Sequence, residues 1–312
     1  MIKKITLILL ILLPIIAFSQ TKAPNKNITF EGRMHFLSSY SNNNFQIKPE
    51  RMRLFVFAEP AVNTHARLQY EFMTKRLYDA WISFFLIERQ LELRLGRSWL
   101  PKFGEITDHP FMTDMIDKPA GCKFFQARDE GVFAIYSPKA EPFLKFYIGT
   151  FKGNGIFRDD GSYVSKDDNK HFDTMGSMAL SWPRIKYFFG FFRGFDGPEE
   201  NLVSKGGFSM ELTVKPFKFF TLKGSATEKQ LGEQSQDAHW LRAVYHLKKV
   251  DFIIERDYFD TTISSDESYV LGVNYYLGPR KNNNRIMLNF YHHTLRHVDK
   301  NEIKLQLQLI SK

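Results

Sequence analysis

Residues 65 to 72 read HARLQYEF, and the alternation in them limits what this chain can fold into. Ala66, Leu68, Tyr70 and Phe72 fall on one side of an extended strand, with His65, Arg67, Gln69 and Glu71 on the other. Successive strand side chains point to opposite faces, so one face needs an apolar surrounding and the other meets water. A soluble sheet packs its apolar face on a core, and a membrane barrel turns it to lipid. The number of such ribbons separates the two cases.

They recur from end to end. LELRLG at 91–96 sets Leu91, Leu93 and Leu95 against Glu92 and Arg94. EIKLQLQL places Ile303, Leu305, Leu307 and Leu309 against Glu302, Lys304, Gln306 and Gln308, and 143–150 sets Leu144, Phe146 and Ile148 against Lys145. The period-two pattern predicts strands near 27–37, 50–58, 65–73, 77–86, 91–97, 129–136, 143–150 and 171–182. It continues at 186–194, 207–215, 218–227, 238–247, 250–258, 268–277, 284–293 and 301–310, sixteen in all. No amphipathic helix of ordinary length covers the apolar faces. A barrel closed in lipid pairs every backbone group and leaves no sheet edge.

Connection lengths point the same way. Long connections are expected at 38–49, 98–128, 151–170, 195–206, 228–237, 259–267 and 294–300, and short ones at 87–90, 137–142, 183–185 and 248–249. Turns short on one side and loops long on the other are what an outer-membrane barrel shows. The brief connection at 75–77 breaks the rule. Mean hydropathy of −0.32 excludes a helical membrane protein but not a barrel, half of whose strand residues are polar. Aromatic content of 15% suits pleated surfaces and interfacial girdles.

Export follows from the first twenty residues. Lys3 and Lys4 precede a short apolar run from Ile5 to Phe18, and Ala17-Phe18-Ser19 offers small residues for cleavage after Ser19. This is a secretory leader over 1–19, with the barrel in 20–312. The single Cys122 excludes an intramolecular disulfide. Formal charge is +9, or about +7 once Lys3 and Lys4 leave with the leader. In an exported chain without an aromatic-basic motif that surplus favours small anionic solutes or anionic lipid, not nucleic acid.

YDAWI (78–82), LELRLGRSWLPKFGE (91–105) and FFQARDEGVFAIY (124–136) together resemble the phosphate-selective porin O/P family. The carriers are Asp79-Ala80, Gly96-Arg97, Pro101 with Phe103-Gly104-Glu105, and Arg128-Asp129 with Gly131-Val132. FYIGTFKGNGIFRDD (146–160) is similar to another segment of that family. The resemblance implies a sixteen-stranded outer-membrane barrel, a homotrimer, whose third long loop folds inward and narrows the pore. The longest connection, 98–128, follows the fifth strand, where that loop belongs. The chain is compact for the family and ends LQLQLISK without a terminal aromatic residue.

With apolar residues facing lipid, the polar alternates line the interior: Arg33, Arg51, Arg53, Arg67, Arg94, Lys145, Lys223, Arg242 and Lys304. An arginine on the lipid side at mid-bilayer costs roughly 2–4 kcal/mol, which favours the inward placement. Unpaired, such groups select anions. Paired across strands with Glu31, Glu71, Glu92, Glu211 and Glu302, they make a neutral network and a weakly selective pore. The constriction loop contributes Lys102, Glu105, Asp108 and Arg128, and its other acids include Asp114 and Asp117.

No cofactor or metal is implied. His292 and His293 point to opposite faces of a strand and cannot chelate together. Asp159-Asp160 and Asp167-Asp168 lack calcium-loop spacing, and KGNG at 152–155 has no helix behind it. Two rival classes stay open: a barrel hydrolase, which needs a serine or acid near a histidine at one rim, and a plugged structural or secretion-associated barrel.

Overall fold

The computed structural model describes residues 28–41, 44–100, 114–117, 119, 128–153, 171–197, 199–261, 265–279, 284–295 and 298–311. Residues 1–19, read above as a leader, and Lys102, Glu105, Asp108, Cys122, His297 and the acidic pairs near 160 and 168 lie outside these residues.

The strands are β1 (Ile28–Ser41), β2 (Asn44–Ala61), β3 (Thr64–Glu71), β4 (Arg76–Leu86), β5 (Leu91–Trp99), β6 (Arg128–Tyr136), β7 (Leu144–Phe151) and β8 (Asp173–Ser181). They continue as β9 (Ile185–Asp196), β10 (Val203–Phe217), β11 (Phe220–Leu231), β12 (Gln234–Leu247), β13 (Val250–Thr261), β14 (Ser265–Tyr276), β15 (Arg285–Leu295) and β16 (Val298–Ser311). Each pairs antiparallel with its sequence neighbours, and β1 pairs with β16 to close the barrel. The sixteen-stranded architecture expected from the alternation is the one observed.

The opening stretch takes the predicted sides. Leu68, Tyr70 and Phe72 are exposed on the outer wall, while Gln69 and Glu71 are buried inside. Leu95, Phe146, Ile148, Ile303 and Leu305 are likewise exposed large apolar residues. In water such a belt would aggregate; it fits the hydrocarbon of a bilayer.

Two expectations need correction. First, most of the expected long loops are strand. β1 and β2 meet across residues 42–43, β11 and β12 across 232–233, β13 and β14 across 262–264, and β15 and β16 across 296–297. At 195–206 the connection shrinks to a 3₁₀ turn, Glu199–Asn201, with short flanks. Only 100–127 and 152–172 stay long. The reason is that strand pairing continues past the apolar belt, where both faces are polar: Glu228 opposes Asp237 and Tyr258 opposes Glu267. Without a lipid contact on one face, alternation disappears from the sequence although the ribbon persists.

Second, the inward face is not uniformly polar. Phe133, Phe151, Met175, Ala179 and Phe188 form a buried cluster inside β6–β9, joined by Leu100 at the start of the long connection. Gly149 lets this cluster close, since a Cβ there would lie 2.3 Å from the Phe133 ring.

Candidate functional site

The long connection between β5 and β6 defines the site. Its described tip, residues 114–117, sits against the inner faces of β11–β16 and β1. β13 stands eight strands from β5, half way round the closed sheet, so residues 114–117 lie against the wall opposite the one that β5 and β6 form.

Four anchors hold the tip. Met115 is buried among Val244, Ile253, Val270 and Tyr291. Ile116 packs with Leu37 and Met287. The backbone is caught by three side chains: Asn274 Nδ2 donates to the Asp114 carbonyl (2.7 Å), the Ile116 N–H donates to Asn289 Oδ1 (3.3 Å), and the Asp117 N–H donates to the Tyr291 hydroxyl (3.2 Å). Asp114 pairs with Lys223 and lies 3.5 Å from Arg242; Asp117 pairs with Lys304 at 2.6 Å. Burial pushes the Asp114 carboxyl up, but Lys223 and Arg242 outweigh it and hold the group well below the usual carboxylate range.

The opposite wall, β1–β6, carries arginines laid on aromatic rings. The Arg33 and Arg67 guanidiniums lie 4.5 and 5.0 Å from the Phe55 ring centre, Arg53 lies 5.0 Å from Tyr78, and Arg94 lies 4.4 Å from Trp81. Each also has an acid: Arg33 with Glu31, Arg53 with Glu71 (2.5 Å), Arg67 with Asp79 (2.9 Å), Arg94 with Glu92 (2.7 Å). Arg51 reaches Glu50 at 3.5 Å. Arg242 is enclosed between Glu255 and Asp114, and Lys304 also meets Glu302 at 3.3 Å. Lys145, exposed near the short-turn end of β7, opposes the inward Ala179.

Arg33, Arg51, Arg53, Arg67, Arg94, Lys223, Arg242 and Lys304 each meet an acidic partner, the paired of the two arrangements weighed above. Arg128, at the end of the long connection, opens β6, where it is buried against Asp79 (2.9 Å) with its guanidinium 3.7 Å from the Trp99 ring. Asp79 thus bridges Arg67 and Arg128, while Asp129 accepts the Gly153 N–H at 2.8 Å.

What sequence reasoning missed is the inward aromatic set. Phe55 shares strand parity with Arg51 and Arg53, which was the available signal. Tyr78 carried no such signal, because the register shift opposite Gln69 and Tyr70 sets its direction. His292 bonds Asn301 (2.9 Å) on the outer face, and His293 bonds Ser268 (2.7 Å) inside, so the pair does diverge.

A closed sixteen-stranded antiparallel barrel with residues 114–117 held against its inner wall has the fold of solved outer-membrane porins. Solved structures with the same fold include an anion-selective porin from Comamonas acidovorans, 11% identical, TM-score 0.70, covering 92% of this chain and 100% of that one. The outer membrane protein OmpT of Vibrio cholerae matches as a loop-deletion mutant at 10% identity and TM-score 0.71, covering 92% and 100%. The in-vitro folded trimer form of OmpT matches at 10% and 0.67, again covering 92% and 100%. No family model and no curated protein matches the sequence.

Proposed function

We propose that the chain is an outer-membrane porin through which small hydrophilic solutes diffuse passively, with selectivity set by small imbalances in a largely paired interior. The observation that carries this reading is the docked tip 114–117, which narrows the barrel from the far wall as a constriction must. The C. acidovorans protein is described as anion-selective, and the arginines on β1–β5 support an anion preference here, phosphate included. Pairing with Glu31, Glu71, Asp79 and Glu92 makes that preference weak. The phosphate-selective O/P likeness enters as the source of that expectation.

Planar-bilayer recording tests it. Stable channels with a slight anion bias are expected, and replacing Arg53 and Arg94 by Glu shifts the reversal potential toward cations. Absence of any conductance would favour a plugged barrel, and an unmoved reversal potential would remove these arginines from the selectivity path.

A homotrimer is proposed with it. The outer faces of β5–β16 carry ionic residues toward the long-loop end, at Arg97, Glu130, Arg193, Glu228, Asp237, Arg256, Glu267 and Asp299, with Phe172 before β8 an exposed apolar exception. Those of β1, β3 and β4 stay apolar there, with Phe36, Tyr40 and Tyr70 exposed and Leu77 beside Tyr70. A second copy would cover that sector, and one of the OmpT structures is a trimer form. Phe36→Lys is expected to convert the oligomer to monomers on cross-linking and unheated gels.

A second reading, a barrel hydrolase, rests on one hydrogen-bond chain. Thr221 Oγ1 lies 2.9 Å from His246 Nε2, and His246 Nδ1 lies 2.7 Å from Asp251 Oδ1. That is the bond order of a hydrolytic triad. Thr221 is only 4% exposed, which leaves its hydroxyl little access to a substrate. Ester hydrolysis abolished by His246→Ala would favour the enzyme over the pore.

A further inference from the structure

The outer wall of β5–β9 combines two features that belong to one kind of ligand. Across β6–β9 the outward residues Ala134, Ile148, Gly176 and Phe191 form one cross-strand row, and Tyr136, Phe146, Met178 and Phe189 the next. Ala134 and Gly176 are the small members, and they open an apolar groove of about 450 Å³ between the side chains of Phe146, Ile148, Phe189 and Phe191. Gly176 is needed for this shape: a Cβ there would meet the Phe191 ring at 2.8 Å. The groove walls are exposed, Ile148 at 65% and Phe191 at 54%.

Cations stand directly above the groove on the long-loop side. Arg193 is two residues, roughly 6–7 Å, beyond Phe191 on β9, and it forms no ion pair among the described residues. Lys152 follows β7, two pleats beyond Ile148. Arg97 lies on the outward face of β5, opposite Glu130. Glu130 takes both of its neighbours, Arg97 directly and Lys152 at 2.7 Å, so two cations share one acid and Arg193 adds a third positive charge to this rim. Elsewhere on the outer wall Arg256 is tied to Glu267 (2.6 Å), with Asp260 and Asp237 opposite each other two pleats further along β13 and β12.

The geometry points to a binding site on β5–β9 for one phosphorylated acyl glycolipid of the outer leaflet, its acyl chain in the Ala134–Gly176 groove and its phosphorylated headgroup spread along the rim that Arg193, Lys152 and Arg97 form, roughly 19 Å from β5 to β9. Charge complementarity selects the headgroup, since guanidinium and ammonium groups bind phosphate oxygens. The groove selects the chain by apolar burial. Long-loop and outer-leaflet sides coincide in barrels of this kind, which places the phosphates of that leaflet at the level of the cations. The site is separate from the interior passage.

The test uses the full mature chain folded in detergent and titrated with bis-phosphorylated lipid A, read by native mass spectrometry. Bound lipid is expected on the parent protein, and lipid A stripped of its phosphates should bind at least roughly tenfold more weakly. The triple variant Arg97→Gln, Lys152→Gln, Arg193→Gln should lose a similar factor, and Gly176→Trp should block the groove. Arg256→Gln, on the opposite wall, is the comparison and should bind as the parent does. Folding of each variant is checked by its heat-modifiable gel mobility. Equal binding of both lipids, equal binding by the triple variant, or displacement by inorganic phosphate alone would overturn the assignment. So would a change of oligomeric state in Gly176→Trp, which would make the groove a contact between copies.

Discussion

Replacing Met115 by aspartate is expected to release the loop tip from the far wall and widen the channel. Met115 is 1% exposed and surrounded by Val244, Ile253, Val270 and Tyr291, with Asn289 Nδ2 3.4 Å from its sulfur. A carboxylate in that niche has no cation to meet, because Lys223 and Arg242 are already engaged by Asp114 and Lys304 by Asp117. An uncompensated buried charge costs roughly 3–5 kcal/mol. At about 1.4 kcal/mol per tenfold, that moves the docked-to-released ratio by at least roughly a hundredfold. The barrel wall keeps its own hydrogen-bonded ladders, so the protein should still fold. Single-channel conductance should rise and larger solutes should pass in liposome swelling. Conductance identical to the parent's would mean that the tip does not control the passage.

Arg242→Ala should be the most destabilising single substitution on the inner wall. Arg242 is 0% exposed, bonded through Nε to Glu255 at 2.5 Å, near Asp114 at 3.5 Å, and 4.9 Å from the Trp240 ring. Removing it strands Glu255 and weakens the hold on the tip, at a cost of roughly 3–5 kcal/mol. The double variant Arg242→Met, Glu255→Met removes both charges and should recover most of that loss, because burying a matched pair yields little net gain over apolar packing. Urea unfolding in lipid vesicles, followed by tryptophan fluorescence, measures both. A double variant no more stable than the single one would show that the pair is not an isolated ionic unit.

The exterior of this protein was far more legible than its interior. Leu91, Leu93 and Leu95, or Ile303, Leu305 and Leu307, could be assigned to lipid because one solvent acts on every outward residue of the belt. The arginines could be assigned to the other face by the same parity. Their partners could not. Arg67 meets Asp79 on the adjacent strand, but Asp79 also receives Arg128 from the far end of the long connection. Lys223 and Lys304 find Asp114 and Asp117, 109 and 187 residues away. No local pattern encodes such pairs.

By itself the sequence determined the closed sheet, its strand number and which apolar residues face outward, because those follow from period-two alternation repeated under one constraint, that no backbone group may go unpaired in hydrocarbon. The tertiary structure decided where strands end beyond the belt, which aromatic rings turn inward and how the interior charge is cancelled. Those outcomes depend on register and on the contacts that residues 114–117 make with strands far away in the chain. They are set by distances between residues far apart in the chain, a quantity that alternation does not carry.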